Sequence, residues 1–250
     1  MDERFSRSAM LIGEGSLNRL TSCHVAVFGL GGVGGYAAEA LARSGVGALD
    51  LVDGDSVGLS NLNRQIIALQ SSLGQNKAEL MRQRALLINP QIRATAISLF
   101  YTAQSADSFD FSKYDYILDC VDMVTAKVQL ALHARSARVP LITALGAGNK
   151  LDPAQLEVAD LHDTSMCPLA RALRKLLRPH GIEHLKVVYS REQPRTPATP
   201  PSQEAAGRRG LPGSMVFVPA AMGLLMAAEV VKDLLIEQTG PETGTTKDRP

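Results

Sequence analysis

The sequence has few cysteines, none of the common zinc-binding motifs and almost no net charge. It contains three cysteines and no secretory signal, so we expect no disulfide framework and predict a reducing, cytoplasmic location. No C-x-x-C pair and no H-E-x-x-H motif occurs, and the common zinc spacings are therefore missing. There is no tryptophan, and the formal net charge is only +1, so the chain as a whole is not a nucleic-acid polycation.

The longest apolar segment lacks the composition of a membrane span. Residues 215–236 include a proline and three charged residues, Glu229, Lys232 and Asp233. Charges at such depth in a bilayer are costly. The sequence instead predicts a short strand at 215–218, followed by a helix packed on a sheet, and no integral membrane span.

The apolar residues that are present predict one α/β domain. They make up 45% of the chain, which is ample for a single core. Strand-like and helix-like patterns alternate, which favours a mainly parallel sheet with helices on both faces. We expect a single domain over 1–250, with an ordered core at 4–190 and 213–236. The Pro-, Ser- and Thr-rich segment 191–212 is predicted to be a mobile loop, and 237–250 a disordered tail.

A glycine-rich turn predicts a nucleotide site in a Rossmann-like fold. The apolar run 25–28 leads through four glycines into an alanine-rich helical pattern; they are Gly29, Gly31, Gly32 and Gly34. In this order of strand, turn and helix, the free N–H groups of the helix N-terminus can bind phosphate. A second apolar strand, 48–52, ends at Asp53, where a carboxylate can accept hydrogen bonds from ribose hydroxyls. Up to this point NAD and ATP fit equally well.

Positive charge after Asp53 favours a triphosphate. Asn61, Arg64 and Lys77 follow within one loop-and-helix segment. A dinucleotide rests mainly on backbone N–H groups, whereas expulsion of pyrophosphate needs cations where charge develops. The fourth predicted strand leads into Asp122, which we expect to bind Mg²⁺ together with phosphate oxygens and water. The alternative for Arg64 and Lys77 is a solvated helix face.

These motifs together resemble the ubiquitin-activating-enzyme superfamily in its bacterial ThiF, MoeB and HesA form. The resemblance rests on G-x-G-G-x-G, on D-x-D-x-V-x-L-S-N-x-N-R-Q, on G-x-x-K and on D-C-x-D. It implies that ATP and Mg²⁺ activate a carboxylate, and that Asp122 holds the metal. The residues implied to bind the nucleotide are Gly29, Gly31, Gly32, Gly34, Asp53, Asp55, Asn61, Arg64, Lys77 and Asp122.

The resemblance also implies a homodimer. In related enzymes an N-terminal arginine crosses to the phosphates of the neighbouring subunit, and the segment R-F-S-R offers Arg4 and Arg7. Arg7 lies where that arginine usually falls. The implied catalytic set is Arg7, Arg64, Lys77 and Asp122. Many MoeB and ThiF proteins carry two C-x-x-C pairs for a structural zinc, and this chain departs from them in having none.

Four later runs resemble one branch of that superfamily, the tRNA threonylcarbamoyladenosine dehydratases. They occupy 142–153, 158–170, 185–194 and 212–219. The resemblance implies that tRNA is the substrate and that the threonine carboxylate beside the anticodon is activated by ATP, so that the threonylcarbamoyl group cyclises with loss of water. It also allows a sulfur-trafficking partner protein.

Two other interpretations stay open. An adenylyltransferase that activates the C-terminus of a ubiquitin-like sulfur carrier would share all the ATP residues, but would favour the missing zinc cysteines. An NAD-binding reductase, or a non-catalytic nucleotide-binding module, would explain the glycine turn and Asp53. It would leave Arg64, Lys77 and Asp122 without a role.

A local cluster of cations is a candidate tRNA surface. Arg171, Arg174, Lys175 and Arg178 recur at i, i+3, i+4 and i+7, on one face of a predicted helix, and Arg208 and Arg209 follow. Such a patch raises affinity for a phosphate backbone. The alternative is an ordinary solvated helix face.

Two further residues are weaker candidates for chemistry. Cys167 precedes Pro168 at a predicted helix start, where a thiol can be a nucleophile, although a residue in this position is more often only a cap. Lys150, in the turn after the fifth predicted strand, is a candidate to contact the activated carboxylate.

Overall fold

The computed structural model describes residues 2–197 and 212–236. Seven strands in these residues form one sheet in the order β3-β2-β1-β4-β5-β7-β6. All neighbours are parallel except the edge strand β6, which is antiparallel to β7. The strands are β1 (His24–Phe28), β2 (Ala48–Val52), β3 (Arg93–Ile97), β4 (Tyr116–Asp119), β5 (Leu141–Ala144), β6 (Leu156–Asp160) and β7 (Lys186–Ser190).

Helices cover both faces of the sheet, as the alternating pattern predicted. They are α1 (Ser6–Ile12), α2 (Glu14–Ser22), α3 (Gly34–Ser44), α4 (Lys77–Ile88), α5 (Val124–Ala137), α6 (Pro168–Leu177) and α7 (Phe217–Leu235). Helices α3, α4 and α7 pack on one face, and α5 and α6 pack on the other. The mainly parallel α/β fold predicted from the sequence is therefore confirmed.

Strand β1 shows why the central strands are continuous apolar runs. Val25 and Val27 belong to the core under α3, whereas Ala26 and Phe28 belong to the core under α5. Successive side chains of a strand point to opposite faces, so a sheet covered on both sides buries every residue of its central strands.

The predicted strand at 215–218 is wrong. Helix α7 already begins at Phe217, and Pro219 lies in its first turn, where the missing N–H costs no helical hydrogen bond. The apolar residues of this segment pack as one face of a helix, which a short β-branched run does not distinguish from a strand. Among residues 2–197 and 212–236, no helix combines the length and the apolar character that crossing a membrane requires.

The predicted mobile loop is covered only in part. Residues 198–211, which include Arg208 and Arg209, and the predicted tail 237–250 lie outside the described residues. The described beginning of the loop is anchored, because the Glu192 carboxylate accepts the backbone N–H groups of Leu151 and Asp152.

We predict that Gly223→Ala destabilises the fold. A Cβ atom at Gly223 would lie 2.2 Å from the carbonyl oxygen of Val33, because α7 crosses the start of α3 at close range. We expect a loss of about 2 kcal/mol in the free energy of unfolding, measured by urea denaturation. The control is Gly15→Ala in α2, where a Cβ atom meets nothing within 4 Å. It should leave stability unchanged or raise it by up to about 1 kcal/mol. Equal stabilities for the two variants would contradict the close contact.

Candidate functional site

The glycine turn after β1 has no room for side chains at two of its positions. Gly29 has φ +86°, and a Cβ atom there would lie 2.7 Å from the carbonyl oxygen of Cys120. A Cβ atom at Gly34 would lie 1.8 Å from the carbonyl oxygen of Gly29. Val33, at the start of α3, contributes no side-chain cap to the helix. The N-terminus of α3 therefore lies at the turn, in the arrangement that suits a phosphate, and the N–H of Gly35 donates to the carbonyl oxygen of Gly31 at 3.2 Å.

Asp53, directly after β2, holds this turn in place. Its Oδ2 accepts the N–H of Leu30 at 2.7 Å, and its Oδ1 accepts the N–H of Asp55 at 2.8 Å. Burial raises the pKa of Asp53, and the two backbone donors oppose that shift. Each oxygen retains a second lone pair, so the carboxylate can still accept hydrogen bonds from ribose hydroxyls.

Lys77 is a buried cation at the same edge of the sheet. It begins α4, whose N-cap Asn76 accepts the N–H of Glu79 at 3.0 Å. Lys77 is only 5% exposed, and its Nζ lies 2.6 Å from Oδ2 of Asp55. The carboxylate that pairs with Lys77 is therefore tied, through the backbone N–H of Asp55, to Asp53, the residue predicted to bind the ribose. This arrangement can hold a positive charge close to a bound nucleotide.

Asn61 and Arg64 lie beside the glycine turn in different roles. The Oδ1 atom of Asn61 accepts the N–H of Gly58 at 3.0 Å and so fixes its own loop. The Cγ atom of Arg64 lies 3.5 Å from the position of a Cβ atom at Gly32, so the arginine stem rests on the turn. Its guanidinium donates to the carbonyl oxygen of Ser60 at 2.7 Å. An arginine held by such surface contacts can turn toward a phosphate at small cost.

Asp122 follows β4, on the other side of the glycine turn. The N–H of Cys120 donates to the carbonyl oxygen of Phe28 at 2.8 Å, which continues the pairing of β4 with β1. Asp122 itself is exposed. The described residues contain no cluster of three or more His, Cys, Asp or Glu side chains that could hold a metal alone. Mg²⁺ needs only one or two carboxylates besides phosphate oxygens and water, so an exposed carboxylate beside a phosphate cradle fits it.

The loop after β5 forms a second wall of the site. Asn149 and Gly213 exchange two hydrogen bonds of 2.7 Å, one through each backbone N–H. The side chain of Asn63 donates to the carbonyl oxygen of Ser214 at 2.9 Å. Residues 212–214 therefore link the loop after β5 to the segment that carries Arg64. Both segments lie at the carboxyl edge of the sheet.

Lys150 and Cys167 occupy buried positions in that wall. The Lys150 Nζ donates to the carbonyl oxygens of Gly146 at 2.9 Å and Ser190 at 3.3 Å, and burial lowers its pKa. The amine is thus used to hold the loop, and contact with a carboxylate would require it to leave these carbonyls. Cys167 is buried at the N-cap of α6, and its thiol makes no capping hydrogen bond.

Arg7 is the one predicted catalytic residue that does not join the others within the chain. Phe5 lies under Gly45 at the end of α3, and Arg4 donates to the side chain of Asn89 at the end of α4. Both helices begin at the carboxyl edge of the sheet, so this N-terminal segment starts at the opposite end. Within the described residues, no hydrogen bond or ion pair connects Arg7 with the glycine turn or with Lys77.

The predicted basic helix is α6, and its four cations do not share one environment. Arg171, Lys175 and Arg178 are exposed. Arg174 is half-buried, and its guanidinium donates to the carbonyl oxygens of Leu161 at 2.8 Å and Thr164 at 3.1 Å. The expectation of a single basic face therefore holds for three residues, while Arg174 fastens α6 to the preceding turn.

Two buried polar residues near the site, Gln65 and Lys127, were not predicted to be part of it. Gln65 lies against Gly31, and its Oε1 is buried without a partner. Lys127 is buried in α5 against Asp119. A signal for Lys127 exists, because it is the one cation in an otherwise apolar and small-residue helix start, V-T-A-K-V-Q-L-A-L. For Gln65 the available signal is its place as the last residue of the motif D-x-D-x-V-x-L-S-N-x-N-R-Q.

The chain is similar to known proteins over nearly its whole length. Residues 5–247 match the model of the ThiF family. A tRNA threonylcarbamoyladenosine dehydratase of Bacillus subtilis (strain 168) is 40% identical over 243 residues, which are 94% of this chain and 96% of that protein.

Solved structures of an Escherichia coli protein have the same fold. The tRNA N6-threonylcarbamoyladenosine dehydratase TcdA in complex with AMP is 35% identical and superposes with a TM-score of 0.85, over 93% of this chain and 94% of that one. The complex of TcdA with ATP gives a TM-score of 0.84 at the same identity and the same coverage.

Proposed function

The chain belongs to the ThiF family, and we propose that it catalyses the ATP-dependent dehydration of threonylcarbamoyladenosine in tRNA, next to the anticodon. The observation that carries the proposal is the similarity to a named dehydratase over 94% of this chain and 96% of the relative. The site supports it, because a glycine cradle, a ribose acid, two cations and an exposed carboxylate lie along one edge of the sheet.

The site argues against one of the two alternatives, and the similarity to a dehydratase argues against the other. A nicotinamide enzyme would have no use for a buried cation such as Lys77 beside the ribose acid. A sulfur-carrier adenylyltransferase would use the same ATP residues, and the full-length similarity to a dehydratase argues against it. A cytoplasmic location and a sulfur-trafficking partner stay predictions of the sequence.

The proposed reaction requires the protein to position ATP and the carboxylate and to neutralise the charge on the phosphates. Mg²⁺-ATP would supply the adenylyl or phosphoryl group that turns the threonine carboxylate into a reactive anhydride. The N-terminus of α3 and the side chains of Arg64 and Lys77 would hold the phosphates and stabilise the charge that develops on them. Asp53 would orient the ribose, and Asp122 would bind the metal.

Ring closure then needs little further machinery. An oxygen or nitrogen of the carbamoyl unit attacks the activated carboxyl carbon, a five-membered ring forms, and one carboxylate oxygen leaves on the phosphate product. The elements of water are thereby consumed in the cleavage of ATP. Because the attack is intramolecular, its effective molarity is high, and the protein has only to hold the two groups in line.

Nucleoside mass spectrometry tests the proposed reaction. Incubation of threonylcarbamoyladenosine-bearing tRNA with the protein, ATP and Mg²⁺ should yield a nucleoside that is lighter by one water. Asp122→Ala and Lys77→Met should each slow its appearance by at least about a hundredfold. Lys77→Met should still fold, because the side chain of its partner Asp55 is 56% exposed. Lys232→Met, on the surface of α7, is the matched control and should retain full activity.

The outcome also separates the alternatives. Intact nucleoside from a chain that binds ATP would favour the carrier-protein adenylyltransferase. Binding of NAD(H) without any binding of ATP would favour the nicotinamide interpretation.

We place Arg7 in the active site of a second copy of the chain. In its own chain Arg7 belongs to a segment that starts at the far end of the sheet, as Phe5 and Arg4 show. The same helix α1 exposes two large apolar side chains, Met10 and Leu11, each 86% exposed. An apolar helix that carries a cation suits a subunit interface, and the family resemblance implies a homodimer.

Mixing of two inactive variants tests this arrangement. If Arg7 acts across the interface, co-expressed Arg7→Ala and Asp122→Ala chains form some mixed dimers that contain one intact site. Random pairing should then restore about a quarter of the wild-type rate of dehydration. No restoration, or a monomer by sedimentation at the assay concentration, would contradict the proposal. Each variant purified alone serves as the control.

We further propose that the exposed cations of α6 bind the tRNA backbone. Arg171, Lys175 and Arg178 are exposed, and none forms an ion pair with an acidic residue in the part of the chain that is described. Helix α5 adjoins this surface, because Arg135 near its C-terminus donates to the carbonyl oxygen of His180 just after α6. The exposed Arg138, directly after α5, therefore extends the surface. Unpaired cations on adjoining helices attract phosphates without sequence preference.

Charge reversal distinguishes this surface from an ordinary solvated face. Arg171→Glu/Lys175→Glu should raise the KM for tRNA and lower the slope of log affinity against log salt by about two, while the KM for ATP stays unchanged. The control is Lys232→Glu, an exposed reversal on the other face of the sheet. An unchanged KM for tRNA and an unchanged salt slope in the double variant would leave α6 without this role.

A further inference from the structure

A fully buried ion pair lies at the end of β4, beside the candidate site. Asp119 is 0% exposed and Lys127 is 2% exposed, and Oδ1 of Asp119 lies 3.1 Å from Nζ of Lys127. The same Nζ donates to the carbonyl oxygen of Ala144 at 2.7 Å. One ammonium group therefore connects the last residue of β4, the last residue of β5 and the first turn of α5.

Stability alone does not account for this pair. Removing two charges from water costs free energy that their attraction repays only when every remaining polar atom is satisfied. Here Oδ2 of Asp119 and Oγ1 of Thr143, which lie opposite each other on β4 and β5, form no well-aligned hydrogen bond, although the Thr143 hydroxyl faces the carboxylate and opposes the rise in its pKa. Burial raises the pKa of Asp119, and Lys127 opposes that shift. Apolar residues of similar volume would be expected to serve the core equally well.

What the pair does fix is the turn that leads to Asp122. Oδ1 of Asp119 also accepts the N–H of Val121 at 3.2 Å, which closes the chain just after the strand. The carbonyl oxygen of Cys120, which precedes Val121 in this turn, lies so close to Gly29 that a Cβ atom has no room there. The turn after β4 is therefore held by the ion pair, through Val121, and by its contact with Gly29, through Cys120. Asp122 follows in this turn and is exposed to solvent.

We propose that Asp119 and Lys127 are positioning residues: the buried pair sets the β4–α5 turn so that Asp122 faces the phosphate cradle. Neither residue reaches the nucleotide itself. The ammonium acts through Asp119 on the N–H of Val121, and so on the direction of the carboxylate one residue later. The inference rests on the proposed function for the role of Asp122.

The test replaces both charges at once, so that no unpaired charge is left in the core. Asp119→Leu/Lys127→Met should still unfold in one cooperative thermal transition, because the exchange removes two desolvated charges together, while the Ala144 carbonyl and the Val121 N–H each lose one partner. The Mg²⁺ concentration for half-maximal rate should rise at least about tenfold, as it does when the groups that orient a metal ligand are lost. The KM for tRNA should not change, since α6 is untouched.

A second ion pair provides a matched control. Glu39 of α3 is buried and accepts hydrogen bonds from Arg84 of α4, on the opposite face of the sheet and away from the Asp122 turn. Glu39→Leu/Arg84→Met should leave the Mg²⁺ requirement unchanged. If the Asp119/Lys127 double variant also keeps the wild-type Mg²⁺ requirement, the pair is purely structural and the inference is wrong.

Hydrogen exchange gives an answer that needs no variant and no activity. The Val121 amide should exchange slowly in the wild-type chain without nucleotide, since Asp119 already holds it. Fast exchange there would overturn the inference. A different result would refute the proposed function, namely a wild-type chain that binds no ATP. If the wild-type chain binds ATP and the double variant has the wild-type Mg²⁺ requirement, only the positioning role is refuted.

Discussion

The backbone of the glycine turn touches the end of β4, where a Cβ atom at Gly29 would lie 2.7 Å from the carbonyl oxygen of Cys120. The sheet order β3-β2-β1-β4 places these strands side by side, although about 90 residues separate them in sequence. The connections of β1 and β4 run to opposite faces of the sheet, and a crevice opens between them. The contact between Gly29 and Cys120 sets the two sides of this crevice. Asp53 holds the glycine turn on one side, and Asp122 lies on the other.

Charge is distributed along this crevice in a way that serves a polyanion. The cation Lys77 is buried but paired with an exposed carboxylate, so it can exchange that partner for a phosphate without leaving an unpaired acid in the core. Arg64 rests on the glycine turn and is held only by surface contacts. The pair Asp119–Lys127 is different, because both of its charges are enclosed and neither can move to a ligand.

The crevice at the glycine turn does not by itself select a substrate. The glycine turn and Asp53 suit any adenine nucleotide. Specificity for tRNA is expected from the surface formed by α6 and the end of α5, and from the loop after β5 that residues 212–214 connect to the Arg64 segment. These elements belong to the second half of the chain, which the full-length similarity to a dehydratase includes.

The sequence by itself determined the glycine turn, because this turn depends on residues that are close together in the chain. It also indicated the parallel sheet and the family, through the alternation of strand and helix patterns and through motifs along the chain. Within this turn, Gly29 has a φ of +86° and Gly34 lies against the carbonyl oxygen of Gly29, and both constraints are local to the turn. The beginning of α7 was predicted wrongly, since a short apolar run satisfies a strand and a helix equally until its neighbours are known.

Only the tertiary structure decided which polar groups meet. Arg174 has the spacing of a surface cation, yet it binds two carbonyl oxygens, and Lys127 pairs with Asp119 across the start of a helix. The resemblance implies a catalytic role for Arg7, but the packing of Phe5 under Gly45 starts its helix at the far end of the sheet. Spacing along a chain fixes the direction of a side chain, and the partner that it meets depends on elements that only folding brings together.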